Sequence, residues 1–332
     1  MIAPSLRPCS RLAALVAGSC LLLGAAHAAG GNPPLVPAAS VKIPGSPGKF
    51  DFLEVDARNH RLLAAHEKDG TADFIDLPSG TVLARLKTGP TVGITVNTAG
   101  DTYYASVQDD KRVAIIDART LQETGSIAMP GETDAILYDA KDRRVYVTND
   151  NGKYLWALDP AAGKVVAAID IPGEPECMAH DAATDRIYLN IKNLNEVAVI
   201  DTKTNTVVMT WPVAPATGPH GLAFDAAAGR IYVSGDNGLL VALDTKTGQF
   251  IASAEITPKV DQIAFDAGTK RIFCAGPGHL SVVAATPDGV TFLGNVASAD
   301  TAKNVAVDPA THRVWTTYTD GTDSFAKSWS QP

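Results

Sequence analysis

Beyond residue 37, apolar residues either alternate with polar ones or run in groups of three to five between Gly, Pro, Asp and Asn. That spacing predicts strands and tight turns rather than amphipathic helices. Between Met178 and Asp201 one apolar strand ends on Asp181, and a short Ala/Thr turn leads to Arg186. A second strand carries Ile187, Tyr188 and Leu189, and a third closes on Asp201. The pattern recurs seven times, with Asp56, Asn97, Asp139, Asp181, Asp225, Asp266 and Asp308 as reference positions spaced 41 to 44 residues apart. In each copy the second strand starts six residues after the reference, at Leu62, Tyr103, Val145, Ile187, Ile231, Ile272 and Val314. A third-strand Asp follows at Asp76, Asp117, Asp159, Asp201 and Asp244, and the sixth copy departs with Ala285. A repeat near 40 residues built from short β runs predicts an all-β, seven-bladed propeller of four-stranded blades.

The two ends of the repeat array predict how the ring closes. Ala38 to Gly45 (AASVKIPG) matches the ends of later repeats, such as Ser126 to Gly131 and Ile169 to Gly173, and no first three strands precede it. The last repeat supplies strands near residues 304–307, 314–318 and 324–329 and then stops. The leading strand is therefore expected to complete the last blade, which leaves no open sheet edge. The expected organisation is a signal peptide over 1–28, a flexible leader over 29–37 and one propeller domain over 38–332.

Composition adds an address. Arg7 and Arg11 precede an apolar run from Leu12 to Ala25, and Ala26-His27-Ala28 reads as a small-x-small cleavage site. The run is too short and too rich in Ala and Gly for a membrane span, so the reading is an exported, periplasmic protein. Processing would remove two Arg and no acid, taking the formal charge from −8 to −10. An acidic chain without a Lys/Arg cluster disfavours nucleic acid. Cys177 and Cys274 remain after processing and fall in blades that are not neighbours, which predicts free thiols rather than a disulfide.

Superposing the repeats separates uniform positions from variable ones. Arg61, Thr102, Arg144, Arg186, Arg230, Arg271 and Arg313 precede the second strands, and the copy without Arg is also the copy without the reference Asp. This joint loss predicts a structural Asp–Arg pair across each first hairpin. Chemistry is then expected on the opposite face. Five residues before the reference the ring reads Asp51, Val92, Asp134, Glu176, His220, Asp261 and Lys303. Asp134, Glu176, His220 and Asp261 form an unbroken arc whose oxygen and nitrogen donors suit a divalent metal ion. The loops after the second strands add His66, Asn149, Lys192 and Tyr318 as candidate lining for a small-ligand pocket. Inside the ring, His180 stands where other copies are apolar, and Glu54 stands where four copies have Ala. With Asp51 at the rim and His220 opposite, Glu54 is a candidate acid–base partner.

Val145-Tyr146-Val147-Thr148-Asn149 and Asn195-Glu196-Val197-Ala198-Val199-Ile200-Asp201-Thr202-Lys203-Thr204-Asn205 carry a family resemblance. The chain resembles the YVTN-type β-propeller repeat family over about residues 38–330, especially its YncE-like periplasmic members. The resemblance implies a binding protein; related propellers also host lactonase, lyase, quinoprotein and haem d1 chemistry. There is no C-x-x-C-H, no paired C-x-x-C and no phosphate-binding G-x-x-x-x-G-K-[ST] loop. Two readings follow. One is an exported monomeric module that binds a small molecule or a periplasmic protein at its channel mouth, using Asp51, His66, Asn149, Lys192, Lys303 and Tyr318. The other is a metal-assisted, lactonase-like hydrolase or lyase, with the metal on the arc and Glu54 or His220 as base. A fainter third reading uses His66 or His220 as an axial ligand to haem d1.

Overall fold

The computed structural model describes residues 1–2 and 33–332, so from residue 3 onward the expected signal peptide lies outside the described residues. Pro33–Pro332 form one unit. Within it, strands pair into seven four-stranded antiparallel sheets. Blade one runs Leu53–Asp56, Arg61–His66, Thr71–Asp76 and Val82–Lys87, and blades two to six repeat that meander. In blade seven the leading strand Val36–Ile43 pairs antiparallel with Asp323–Ser330, outside Val314–Asp320 and Ala306–Val307. Ring closure by the first strand is as expected from the sequence.

That strand starts at Val36 rather than Ala38, so the last residues of the expected leader belong to the blade. Leu35 is buried with Phe273, Val314 and Trp329 between blades six and seven, which fixes the chain before the strand begins. Pro37 is tolerated because it sits on an outer strand, next to a register shift between Pro37 and Ser40.

Burial follows position within the blade. The second and third strands are covered on both faces by neighbouring blades, so they carry apolar runs such as Leu62–Ala65 at 0% exposure. Outer strands such as Lys164–Asp170 alternate exposed and covered residues, as one-sided strands do. The apolar core divides into seven clusters, each between adjacent blades; Leu63, Phe74, Tyr103 and Ile116 join blades one and two. Trp156, Trp211, Trp315 and Trp329 are buried in such clusters. Cys177 and Cys274 are buried free thiols.

The expected Asp–Arg pairing is not what the ring does. Cross-strand partners such as Asp56 and Arg61, or Asp139 and Arg144, do face each other in register. Among the described residues, however, no reference Asp forms an ion pair with its Arg. Each Asp carboxylate instead accepts from a backbone N–H two residues on, at 2.8–3.1 Å in six blades. This ties a turn whose fifth residue is left-handed, as at His60, Arg143, Asp185, Lys270 and His312. The second carboxylate oxygen is often taken by the following blade: Tyr103 Oη reaches Asp56 at 2.8 Å and His312 Nδ1 reaches Asp266 at 2.9 Å. The Arg side chains bond carbonyls of neighbouring segments, as Arg230 does with Thr286 at 2.7 Å. Asp and Arg both serve blade-to-blade contacts. The Asp is almost fully buried, and a buried carboxylate is better satisfied by several fixed N–H donors than by one long side chain. His180 follows the same logic, its Nδ1 lying 3.4 Å from Asp139 of the preceding blade.

Candidate functional site

Strand geometry places the ring of positions five residues before the reference at one mouth of the central channel. There Asp51, Asp134, Glu176, Lys192, His220 and Asp261 line a single cavity of about 230 Å³, together with Lys49, Phe52, Gln108, Asp150, Asn151, Glu174 and Pro175. Four lead-in residues from blades three to six, Asp134, Glu176, His220 and Asp261, stand side by side along its wall. His220 is gripped from both sides, with Nδ1 3.0 Å from Asp261 Oδ1 and Nε2 3.3 Å from Glu176 Oε1. Lys192 Nζ lies 3.1 Å from the same Glu176 oxygen. On the other side, Lys49 Nζ bridges Asp51 at 2.7 Å and Glu67 at 2.8 Å. Gln108 Nε2 donates to Asp150 Oδ2 at 2.8 Å and joins blades two and three across the rim.

The electrostatics sort these groups. Burial pulls the His220 imidazole down, but its hydrogen bond to Asp261 and the charge of Glu176 outweigh that and raise it above its ordinary value. Burial would raise Asp261, yet the His220 hydrogen bond and the nearby Lys49 and Lys303 charges hold it below the usual carboxylate range. Glu176 is raised, chiefly by burial, against the pull of His220 and Lys192. Asp51 is pushed up to about 6 by burial, Lys49 notwithstanding. Asp134 is pushed well up by burial and then by Asp51, Glu176 and Asp150. Among the described residues nothing donates to the Asp134 carboxylate. It faces a cavity with six carboxylates against two lysines and one imidazole.

The metal reading required the arc to converge on one point. Three of its members instead join through His220 while Asp134 stands apart, and among the described residues no three His, Cys, Asp or Glu side chains are grouped so as to hold a metal ion. The physical reason is His220, whose two nitrogens are each satisfied by a different carboxylate.

Other expected residues lie elsewhere. His66 is 0% exposed inside blade one, stacked under Phe50 at 3.8 Å with Nδ1 3.0 Å from Asp73. Its strand position points it between blades rather than into the mouth, so it is neither a pocket residue nor an open axial ligand. Asn149 turns back to the Glu132 carbonyl at 3.0 Å and closes its own loop. Tyr318 stacks on Phe325 at 5.1 Å within blade seven. Lys303 does not line the cavity and acts on it only through its charge near Asp261.

Glu54 does not meet His220. It lines a second cavity of about 520 Å³ that fills the channel itself. Phe52 lines both cavities and divides them. From blade one its ring packs against the core cluster of blades four and five that contains Cys177 and Leu222, on the far side of the channel. The ring of positions four residues before the reference explains the fit: Phe52, Gly93, Ala135, Cys177, Gly221, Gln262 and Asn304. Gly93, Ala135, Cys177 and Gly221 are small where blade one carries a phenyl ring. Gly221 lets blades five and six close up, since a Cβ there would lie 2.9 Å from the Ile263 amide. Cys177 reaches past it to the Asp261 carbonyl at 3.8 Å. Lys49 and Phe52 escaped the sequence reading; this size alternation is the signal that exposes Phe52, whereas Lys49 precedes the aligned repeat.

A family model described as a domain of unknown function (DUF5074) matches residues 80–330. No curated protein matches the chain in sequence. Among solved structures, the chain is similar to the hydrazine synthase of Kuenenia stuttgartiensis, with TM-score 0.72 and 13% identity over 84% of this chain and 94% of that one. It is also similar to a chain of a mitotic checkpoint complex, with TM-score 0.78 and 13% identity over 98% of both. At such identity these likenesses establish the propeller fold alone.

Proposed function

The chain belongs to the DUF5074 family, and for it we propose a binding propeller whose mouth cavity holds a cationic group, an ammonium or guanidinium. The observation that carries the reading is Asp134, a carboxylate without a donor in a cavity where Lys49, Lys192 and His220 are already engaged. A cation arriving there would ionise Asp134 and relieve its repulsion with Asp51 and Glu176. The cation belongs to a small molecule or to a Lys or Arg side chain of a partner, the two ligand sources that a propeller mouth serves.

The resemblance to YVTN-type, YncE-like proteins and the export signal in the sequence support a periplasmic setting, with the propeller acting as a monomer. Calorimetry with agmatine, putrescine and an Arg-containing tetrapeptide, each against the wild type and Asp134→Asn, tests the site. Saturable binding that the variant weakens about tenfold supports it. Equal affinity in both proteins, or no heat with any of the three, removes it. The N-terminal mass of the protein recovered from cells tests export.

A further inference from the structure

We propose that the channel below Phe52 is a second binding site, distinct from the mouth, which takes a small apolar amine with its ammonium on Glu54. The inference stands on the shape and chemistry of that cavity and goes beyond the mouth reading. Its volume, about 520 Å³, lies within the range of about 300–1,000 Å³ usual for small-molecule pockets. Phe52 closes its upper end, and Pro309 in the blade-seven turn lines it below, so it reaches the hairpin face. The walls are mostly aliphatic or aromatic, with Val55, Leu137, Met178, Ile263, Phe265 and Val307 among them. Among the described residues, Glu54 is the one Asp, Glu, Lys, Arg or His side chain lining it.

A carboxylate at this place serves no packing or pairing role among the described residues. Among the described residues it makes no hydrogen bond or ion pair, and four of the other blades place Ala at the matching positions, Ala179, Ala223, Ala264 and Ala306. Burial and then the charge of Asp56 push it up to about 7. No cation offsets that. On its own strand the facing charge is Asp56; its cross-strand partner Leu63 and the flanking Thr95 and Ala306 are uncharged. Across the channel stand Tyr138 and Cys177, whose own ionisation burial pushes upward, while His180 is held by Asp139 outside the lining. An ammonium with an apolar tail satisfies both halves of the cavity: the charge meets the only carboxylate, and the tail replaces channel water along the aliphatic wall.

The test is calorimetry of the purified protein with benzylamine at pH 8 and pH 5.5, with benzyl alcohol as the uncharged control. One-to-one binding is expected at pH 8, about tenfold weaker at pH 5.5, where Glu54 is protonated, and absent with the alcohol. Glu54→Gln, which keeps the side-chain shape, should lose at least about tenfold in affinity and flatten the pH dependence, while Asp134→Asn should bind as the wild type does. No binding to the wild type, or equal binding to Glu54→Gln, overturns the proposal. Loss of binding in Asp134→Asn overturns it as well, by assigning the amine to the mouth, whereas the mouth reading is judged on its own probes.

Discussion

Gln262 grips both backbone polar atoms of Leu53, its Nε2 donating to the Leu53 carbonyl at 2.9 Å and its Oε1 accepting from the Leu53 amide at 3.1 Å. The same Oε1 accepts from the Val305 amide at 3.2 Å, so one side chain of blade six fastens blades seven and one. Both partner residues are buried. Gln262→Leu keeps the volume and strands three backbone groups away from bulk water. We expect it to lower unfolding free energy by about 2–4 kcal/mol, read from urea denaturation with an unchanged slope. A loss below about 0.5 kcal/mol would mean that channel water replaces the clamp.

The blades approach most closely where side chains vanish. Gly221→Ala would bring a Cβ to 2.8 Å from Ser234 Oγ and 2.9 Å from the Ile263 backbone nitrogen, which cannot retreat without moving blade six. We expect a cost of about 1–3 kcal/mol. Gly125, on the outer strand Gln122–Ala128, has nothing within 4 Å of a built Cβ and no left-handed backbone. Gly125→Ala should therefore leave stability unchanged or raise it by about 0.5 kcal/mol. Melting temperatures of the two variants, measured together, separate packing from backbone entropy.

Glu54 makes the protein's stability depend on pH. Its folded-state value near 7 stands above the usual 4.5, so its contribution is fully present below about pH 4.5 and is lost as pH rises through 7. Asp51, raised to about 6, acts in the same direction. Glu54→Gln should match the wild type at pH 4 and exceed it at pH 8 by about 1–3 kcal/mol. Chemical denaturation at the two pH values checks this; a variant less stable than wild type at pH 8 would show that the ionised carboxylate is solvated at no cost.

The seven-blade architecture, the closing strand and the neighbouring places of Asp134, Glu176, His220 and Asp261 at one mouth were legible in the chain because strand register maps repeat position directly onto place in the ring. What the register does not encode is side-chain direction at the end of a strand. His66 and Asn149 share a repeat position, yet one is sealed between blades and the other closes its own loop. The Asp and Arg rings were rightly paired in register and wrongly paired in bonding, since each Asp is held by backbone N–H groups of its own turn and the Arg side chains reach carbonyls of neighbouring segments. Phe52 illustrates the same limit: it packs across the channel against the cluster that holds Cys177 and Leu222, and no local window contains these partners.

Sealing the last blade with Val36–Ile43 gives the molecule a test of its own completeness. Among the described strands Val36–Ile43 comes first in the chain, yet it has no partner until Asp323–Ser330 has been made. A chain cut short by even that one segment would present two raw edges, one on blade seven and one on its stranded opening residues, both open to proteases and to pairing with other chains. The closed ring hides both, so pairing of these two strands separates a sealed propeller from an open one before any ligand is met.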